Sequence, residues 1–256
     1  MKRTLIATAM AIGLVAACAL APLSPVFAQT TGAETDTIKA DWLGRINTRI
    51  DLAQARAALL RARLDLEAEE ASEWASGALA DAQARIMKAR ETATKKVDRQ
   101  LQSLAADVQE VRATLAATPA VARERLDGLI SETEAHLQEM RQATLETEEA
   151  QRLQRRYAQI EAQAALLRAQ LAELSDETGE TVAAHLDDAL AWYRSTREGA
   201  SEEWQSGLTE ITGAIEAAQR KIAEDREQAA AAISALAERA ADIVKGSEAG
   251  DTNNDN

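Results

Sequence analysis

Ala57-Ala58-Leu59-Leu60-Arg61-Ala62-Arg63-Leu64 lies in the middle of a stretch, Thr37 to Ala117, that holds no proline and only two glycines, Gly44 and Gly77. Along that stretch apolar or small residues recur from Ile38 through Trp42, Ile46, Ile50, Ala53, Ala57, Leu60 and Leu64 to Leu115, about 3.67 residues per step. This is close to the period of an unperturbed helix and of an 11-residue repeat, so it predicts one nearly straight helix over 37–117. Within it Val97, Leu101, Leu104, Val108, Val111 and Leu115 keep the 4-3 spacing of a heptad seam.

Working outward, Thr118-Pro119 is the clearest punctuation. Threonine suits an N-cap, and proline suits the first helical position, where its missing N–H is not needed. A second helix is expected over 119–174, read as continuous through Asp127-Gly128. Ser175-Asp176-Glu177-Thr178-Gly179 reads as a turn. A third helix is expected over 180–245, with a kink or restart at Gly199-Ala200-Ser201-Glu202 and Gly246 as its C-cap. Residues 29–36 and the acidic tail 247–256 are expected to be disordered. The resulting fold class is all-α: an elongated antiparallel helical bundle or coiled coil of about three long helices. The first would reach ~120 Å at 1.5 Å per residue.

Two short echoes interrupt this picture. Residues 57–64 match Ala164-Ala165-Leu166-Leu167-Arg168-Ala169-Gln170-Leu171, 107 positions on. Trp74-Ala75-Ser76-Gly77 resembles Trp204-Gln205-Ser206-Gly207, 130 positions on. Taken together, the two offsets require an insertion between the copies.

Composition narrows the function. The chain has 256 residues, a formal charge of −13, and only 3% aromatic residues. Nucleic-acid binding needs excess Lys and Arg to neutralise phosphates, and here the sign is opposite. The first 28 residues read as an export signal: Lys2 and Arg3, an apolar run from Leu5 to Leu20, then Val26-Phe27-Ala28 before Gln29. A second processing route competes, because Val15-Ala16-Ala17-Cys18 resembles a lipobox whose cysteine is lipidated. The expected location is periplasmic or extracellular, or membrane-anchored at Cys18 on the second route. After cleavage at Ala28 the chain keeps one proline, no cysteine and no phenylalanine. Leu, Ile and Val then make up about 18% of it, and Ala, Glu, Lys, Arg and Leu about 56%. That is long-helix composition.

Groups suited to catalysis are sparse, so an enzyme, a cofactor, a metal and a small-molecule substrate are not expected. His136 and His185 lie on different expected helices, and His185 with Asp188 is one weak pair where a metal needs three or four ligands. Glu173, Asp176, Glu177, Glu180, Asp187 and Asp188 read as a solvated acidic turn. The basic stretch Arg85, Lys88, Arg90, Lys95, Lys96 and Arg99 reads either as pairing with an acidic helix of the same bundle or as a docking surface. Trp192 and Tyr193 are adjacent and so face different ways, which places one of them at a partner or lipid surface. Trp42 and Trp204 sit on the seam as core anchors.

The expected function is that of an exported cell-envelope structural or interaction protein, a coiled-coil scaffold or tether. It would bind a protein partner or self-associate through its seams. The alternative is an apolipoprotein-like binder with peripheral lipid contact. Intact-mass measurement of the protein recovered from the envelope is expected to give a chain starting at Gln29; a lipid-bearing Cys18 at residue one is the opposing result.

Overall fold

The computed structural model describes residues 32–68, 72–140, 148–197 and 202–252. The export signal, Cys18 and the last four residues lie outside the described residues. Among the described residues eight helices form where three were expected: α1 (Gly32–Glu67), α2 (Ser72–Thr92), α3 (Lys95–Thr114), α4 (Pro119–Glu139), α5 (Glu148–Leu174), α6 (Gly179–Ser195), α7 (Glu202–Glu224) and α8 (Arg226–Thr252). The span 37–117 divides into α1, α2 and α3, the span 119–174 into α4 and α5, and the span 180–245 into α6, α7 and α8. The longest, α1, has 36 residues and spans about 54 Å, less than half the length of the single helix expected there.

The strong punctuation breaks the helices where predicted. Thr118 precedes α4 and Pro119 opens it, but the Thr118 hydroxyl donates to the Thr114 carbonyl at 3.3 Å instead of capping α4. After α5, Asp176 takes a left-handed φ of 55°, a conformation that Asp tolerates better than most residues. Thr178 then caps α6 by accepting the backbone N–H of Thr181. Both ends differ from expectation. Helix α1 begins at Gly32, inside the segment 29–36, and α8 runs through Gly246 to Thr252, into the tail 247–256. A glycine in an exposed helix costs only about 1 kcal/mol against alanine and need not stop it.

The α2–α3 reversal at Ala93-Thr94 carries no Gly or Pro. The two-residue connection leaves the seam in phase on either side, which is why periodicity reads straight through it. Its geometry is carried by Thr94, which is extended at φ −67° and ψ 156°.

Helix α1 packs on α2 and α4, and α3 closes the ring by packing on both; α5, α6, α7 and α8 repeat that ring. Each is an up-down-up-down four-helix bundle with short connections. Among the described residues the helices that pack directly between the bundles are α1 and α5. These run parallel, since Lys39 meets Glu149, Arg49 meets Tyr157 and Arg56 meets Glu161 in ascending order.

The two bundles are copies. Helices α2 and α6 start at Ser72 and Gly179, α3 and α7 at Lys95 and Glu202, α4 and α8 at Pro119 and Arg226, while α1 and α5 end at Glu67 and Leu174; every pair is 107 residues apart. Buried positions follow the same offset: Leu79 and Leu186, Ile86 and Tyr193, Leu101 and Leu208, Val108 and Ile215, Leu126 and Ile233, Leu129 and Leu236. Even a cross-helix hydrogen bond is repeated, Arg63 to Asp127 and Gln170 to Ser234. About a quarter of the positions from Asp41 to Met140 are identical to their mates. The echo at 57–64 is therefore the duplication, and no insertion separates the copies. The Trp-Ser-Gly echo is coincidental, because Trp74 lies on α2 and Trp204 on α7, which are not mates. With the two central helices parallel, an approximate twofold axis along them relates the halves.

Helices α1 and α5 are buried all round at mid-length. Beside the seam already described, α1 carries a second stripe of Leu52, Ala55, Leu59, Ala62 and Leu66, all buried. Helix α5 does the same with Ala158, Ala162, Ala165, Ala169 and Ala172. A helix apolar on two faces belongs in an interior. The seams expected to drive self-association thus lie inside the chain's own two cores.

The fold predicts paired responses. Leu79→Ala and its mate Leu186→Ala, both fully buried, are each expected to lose about 2–5 kcal/mol in urea unfolding. Trp74→Ala, at 66% exposure, is expected to stay within about 0.5 kcal/mol.

Candidate functional site

The twofold arrangement of the halves creates two clefts flanking the α1–α5 pair, one between α4 and α6 and one between α2 and α8. Their sequences have diverged. The α4–α6 cleft is filled. Arg56, 3% exposed, reaches from α1 to Glu161 of α5 at 2.5 Å and to Glu134 of α4 at 3.6 Å. Arg168 of α5 adds a contact to Glu134 at 3.3 Å. His185 of α6 stands beside Arg168, and Ile130 packs against both cores. Trp192 of α6 closes the cleft toward one end, its ring edge-on to Tyr157 at 5.9 Å.

The α2–α8 cleft is open. It encloses about 530 Å³ between α1, α2, α5 and α8. Most filling residues of its mate are replaced here, although Arg168 is kept as Arg61. Gln163 stands for Arg56, Gln54 for Glu161, Ala241 for Glu134, Ala78 for His185, Ala237 for Ile130 and Arg85 for Trp192. The floor is alanine, with Ala57, Ala58 and Leu167. One wall carries Arg61 and Arg85, with Asp81 beside Arg85. The other is acidic, from Glu238 and Asp242 of α8, with Lys245 beyond them.

Burial and charge set the electrostatics of the junction. Burial, followed by the nearby Glu161, pushes the Tyr157 hydroxyl well above its ordinary value. Burial lowers the His185 pKa, and the neighbouring Arg168 cation lowers it further. A neutral His185 is therefore what the filled cleft favours.

The residues singled out in the sequence are dispersed. Of the six basic residues, three are paired within the bundle. Arg85 donates to Gln54 at 2.6 Å and approaches Asp81 at 3.6 Å. Lys88 meets the buried Asp51 at 3.4 Å, and Arg90 meets Asp98 at 2.7 Å. Burial raises the Asp51 carboxyl pKa against the pull of Lys88. Lys95, Lys96 and Arg99 instead lie exposed at the start of α3, with no carboxylate partner among the described residues.

Neither Trp192 nor Tyr193 is the exposed aromatic that was expected. Tyr193 is 1% exposed, and Trp192 packs between the cores. The residues do face different ways, but in a duplicated fold both directions lead into a core. Among the described residues the exposed aromatic is Trp74, at the start of α2, whereas the Lys95–Arg99 patch follows the end of that helix. Trp42 is buried, and Trp204 packs partly buried on the second core.

The acidic turn gains a cation from a distant part of the chain, because Arg226 at the start of α8 bonds Glu173 at 2.9 Å and approaches Asp176 at 3.8 Å. Among the described residues no group of three or more His, Cys, Asp or Glu is placed to hold a metal, and no helix is long and apolar enough to cross a membrane.

The α2–α8 cleft left no sequence motif, since its lining comes from four helices and is mostly alanine. The duplication was the available signal: aligning the halves at 107 exposes each large-to-small exchange. The chain matches no protein-family model, no curated protein and no solved structure.

Two outcomes follow. Arg56→Ala leaves Glu161 buried without its cation and is expected to destabilise by about 3–5 kcal/mol, whereas Arg56→Met with Glu161→Leu restores most of that loss. For His185, a folded-state pKa below the unfolded value means that the unfolded chain binds more protons, so stability falls on acidification through about pH 6.5. Chemical denaturation of His185→Gln is expected to show a shallower loss between about pH 7.5 and 5.5 than the parent.

Proposed function

We propose that the chain is an exported, non-catalytic interaction protein of the cell envelope, a helical scaffold that holds a segment of a partner protein in its α2–α8 cleft. One observation carries this reading. The duplicated fold makes two equivalent clefts, and side chains fill one while alanines keep the other open. The open cleft fits a peptide segment bearing charges of both signs. Each wall carries charges of both signs, its alanine floor admits close backbone approach, and the Gln163 carboxamide can donate to and accept from peptide groups.

The apolipoprotein-like alternative fits less well. Its apolar helix faces would have to leave the two cores in which they are buried, and the net charge of −13 opposes anionic membranes at long range.

The mate cleft supplies the test. Ala78→His, Ala237→Ile and Ala241→Glu together install the residues that fill the other cleft. The triple variant is expected to keep the parent's helicity and to lose the envelope partner that crosslinks to a photoreactive residue at Asp242 of the parent. Undiminished crosslinking in a folded triple variant excludes the cleft as the binding site.

A further inference from the structure

A second cavity, of about 210 Å³, lies at the other end of α1 from its C-terminus, between α1, the α2–α3 turn and the end of α4. Trp42, Ile46, Val97 and Met140 form its apolar walls. Arg49 lines it and differs from the other enclosed guanidinium. Arg56 has two carboxylates, whereas the described partner of Arg49 is the face of Tyr157, 4.1 Å from the ring centroid. Its Nε, like that of Arg56, is buried without a hydrogen-bond acceptor, but unlike Arg56 it has no carboxylate pairing with it among the described residues. A guanidinium carries five N–H donors and stays charged. Held partly out of water without an anion, it is costly unless a ligand supplies one.

The surroundings fit the same ligand. Arg45 and the Thr92 and Thr94 hydroxyls line the cavity. Thr94 precedes α3 without capping it by its side chain, so the first N–H groups of α3 lack that acceptor. Lys95 and Lys96 occupy the first turn of α3, where the helix dipole disfavours cations; the mate positions on α7 are Glu202 and Glu203. The nearby acids are few. Asp41 is paired with Arg45 and Asp98 with Arg90, and Glu139 is exposed at the cavity mouth.

We infer that this cavity binds a phosphate group carried on an apolar body, with Arg49 as its principal ligand and the Trp42, Ile46 and Met140 walls against the body. A phospholipid headgroup and a soluble phosphate monoester share this chemistry. The inference does not depend on the partner cleft, which lies elsewhere on the molecule.

The test uses the full chain at constant ionic strength set with chloride, titrated calorimetrically with inorganic phosphate. It is also sedimented with vesicles of phosphatidylglycerol or of phosphatidylcholine. Saturable phosphate binding is expected. Arg49→Lys keeps the charge but loses the fork, and is expected to weaken binding about tenfold or more, while the exposed Arg99→Gln changes it by no more than about twofold. Lys95→Glu with Lys96→Glu is expected to weaken binding and yet raise the melting temperature, opposite signs that a purely structural role does not produce. Sedimentation with phosphatidylglycerol that free phosphate competes away identifies a lipid headgroup; phosphate binding without sedimentation identifies a soluble ester. Absence of saturable binding to both probes, or equal weakening by Arg49→Lys and Arg99→Gln, overturns the inference.

Discussion

An alanine-rich helix removes little apolar surface from water along any single stripe, because each alanine contributes only a methyl group. At about 25 cal/mol per Å² of apolar surface, one such seam does not stabilise a long, free-standing rod. This chain meets the constraint by burying two helices on all sides. Both α1 and α5 carry two apolar stripes, and each is enclosed by its own bundle and by the other central helix. The remaining helices present one face each. Small side chains suit this arrangement, since they let the two central helices approach closely in parallel.

The parallel pair decides what else is possible. With halves related by an approximate twofold axis, every feature on one side has a counterpart on the other. Divergence between counterparts is then informative in a way that a single bundle never offers. Arg56, Glu134, Glu161 and His185 close one cleft with a charge network. Gln163, Ala241, Gln54 and Ala78 leave the other open. The same comparison sets Lys95 and Lys96 against Glu202 and Glu203 at the start of matching helices. Equal folds thus carry unequal chemistry: the open cleft lies where the copies differ, and beside the smaller cavity Lys95 and Lys96 differ from their mates while Arg45 and Arg49 match Arg152 and Arg156.

Much of the fold was legible by residue pattern. Thr118-Pro119 and Ser175–Gly179 end helices because their chemistry is local: a proline at a helix start, an Asp in left-handed conformation and a threonine cap. The heptad from Leu101 to Leu115 is buried as its spacing implies. Reversals without Gly or Pro were not legible. At Ala93-Thr94 the chain turns in two residues and keeps its seam in phase, so periodicity sees one helix where two lie antiparallel. The candidate sites were less legible still. Of the basic stretch, the sequence alone did not separate Arg85, Lys88 and Arg90, paired within the bundle, from Lys95, Lys96 and Arg99. For Trp192 and Tyr193, adjacency correctly gave different directions, but not that both directions lead inward.

By itself, the sequence determined an all-helical chain, its strongest boundaries and its main buried faces, because these depend on spacing and on local backbone chemistry. It also contained the duplication, in the match between residues 57–64 and 164–171. Tertiary structure alone decided that the seams close within the chain, that α1 and α5 lie parallel at the centre, and that one of two equivalent clefts is open. Those outcomes depend on which helices become neighbours, and residues 100 or more positions apart, such as Arg56 and Glu161, acquire their roles only when the fold brings them together.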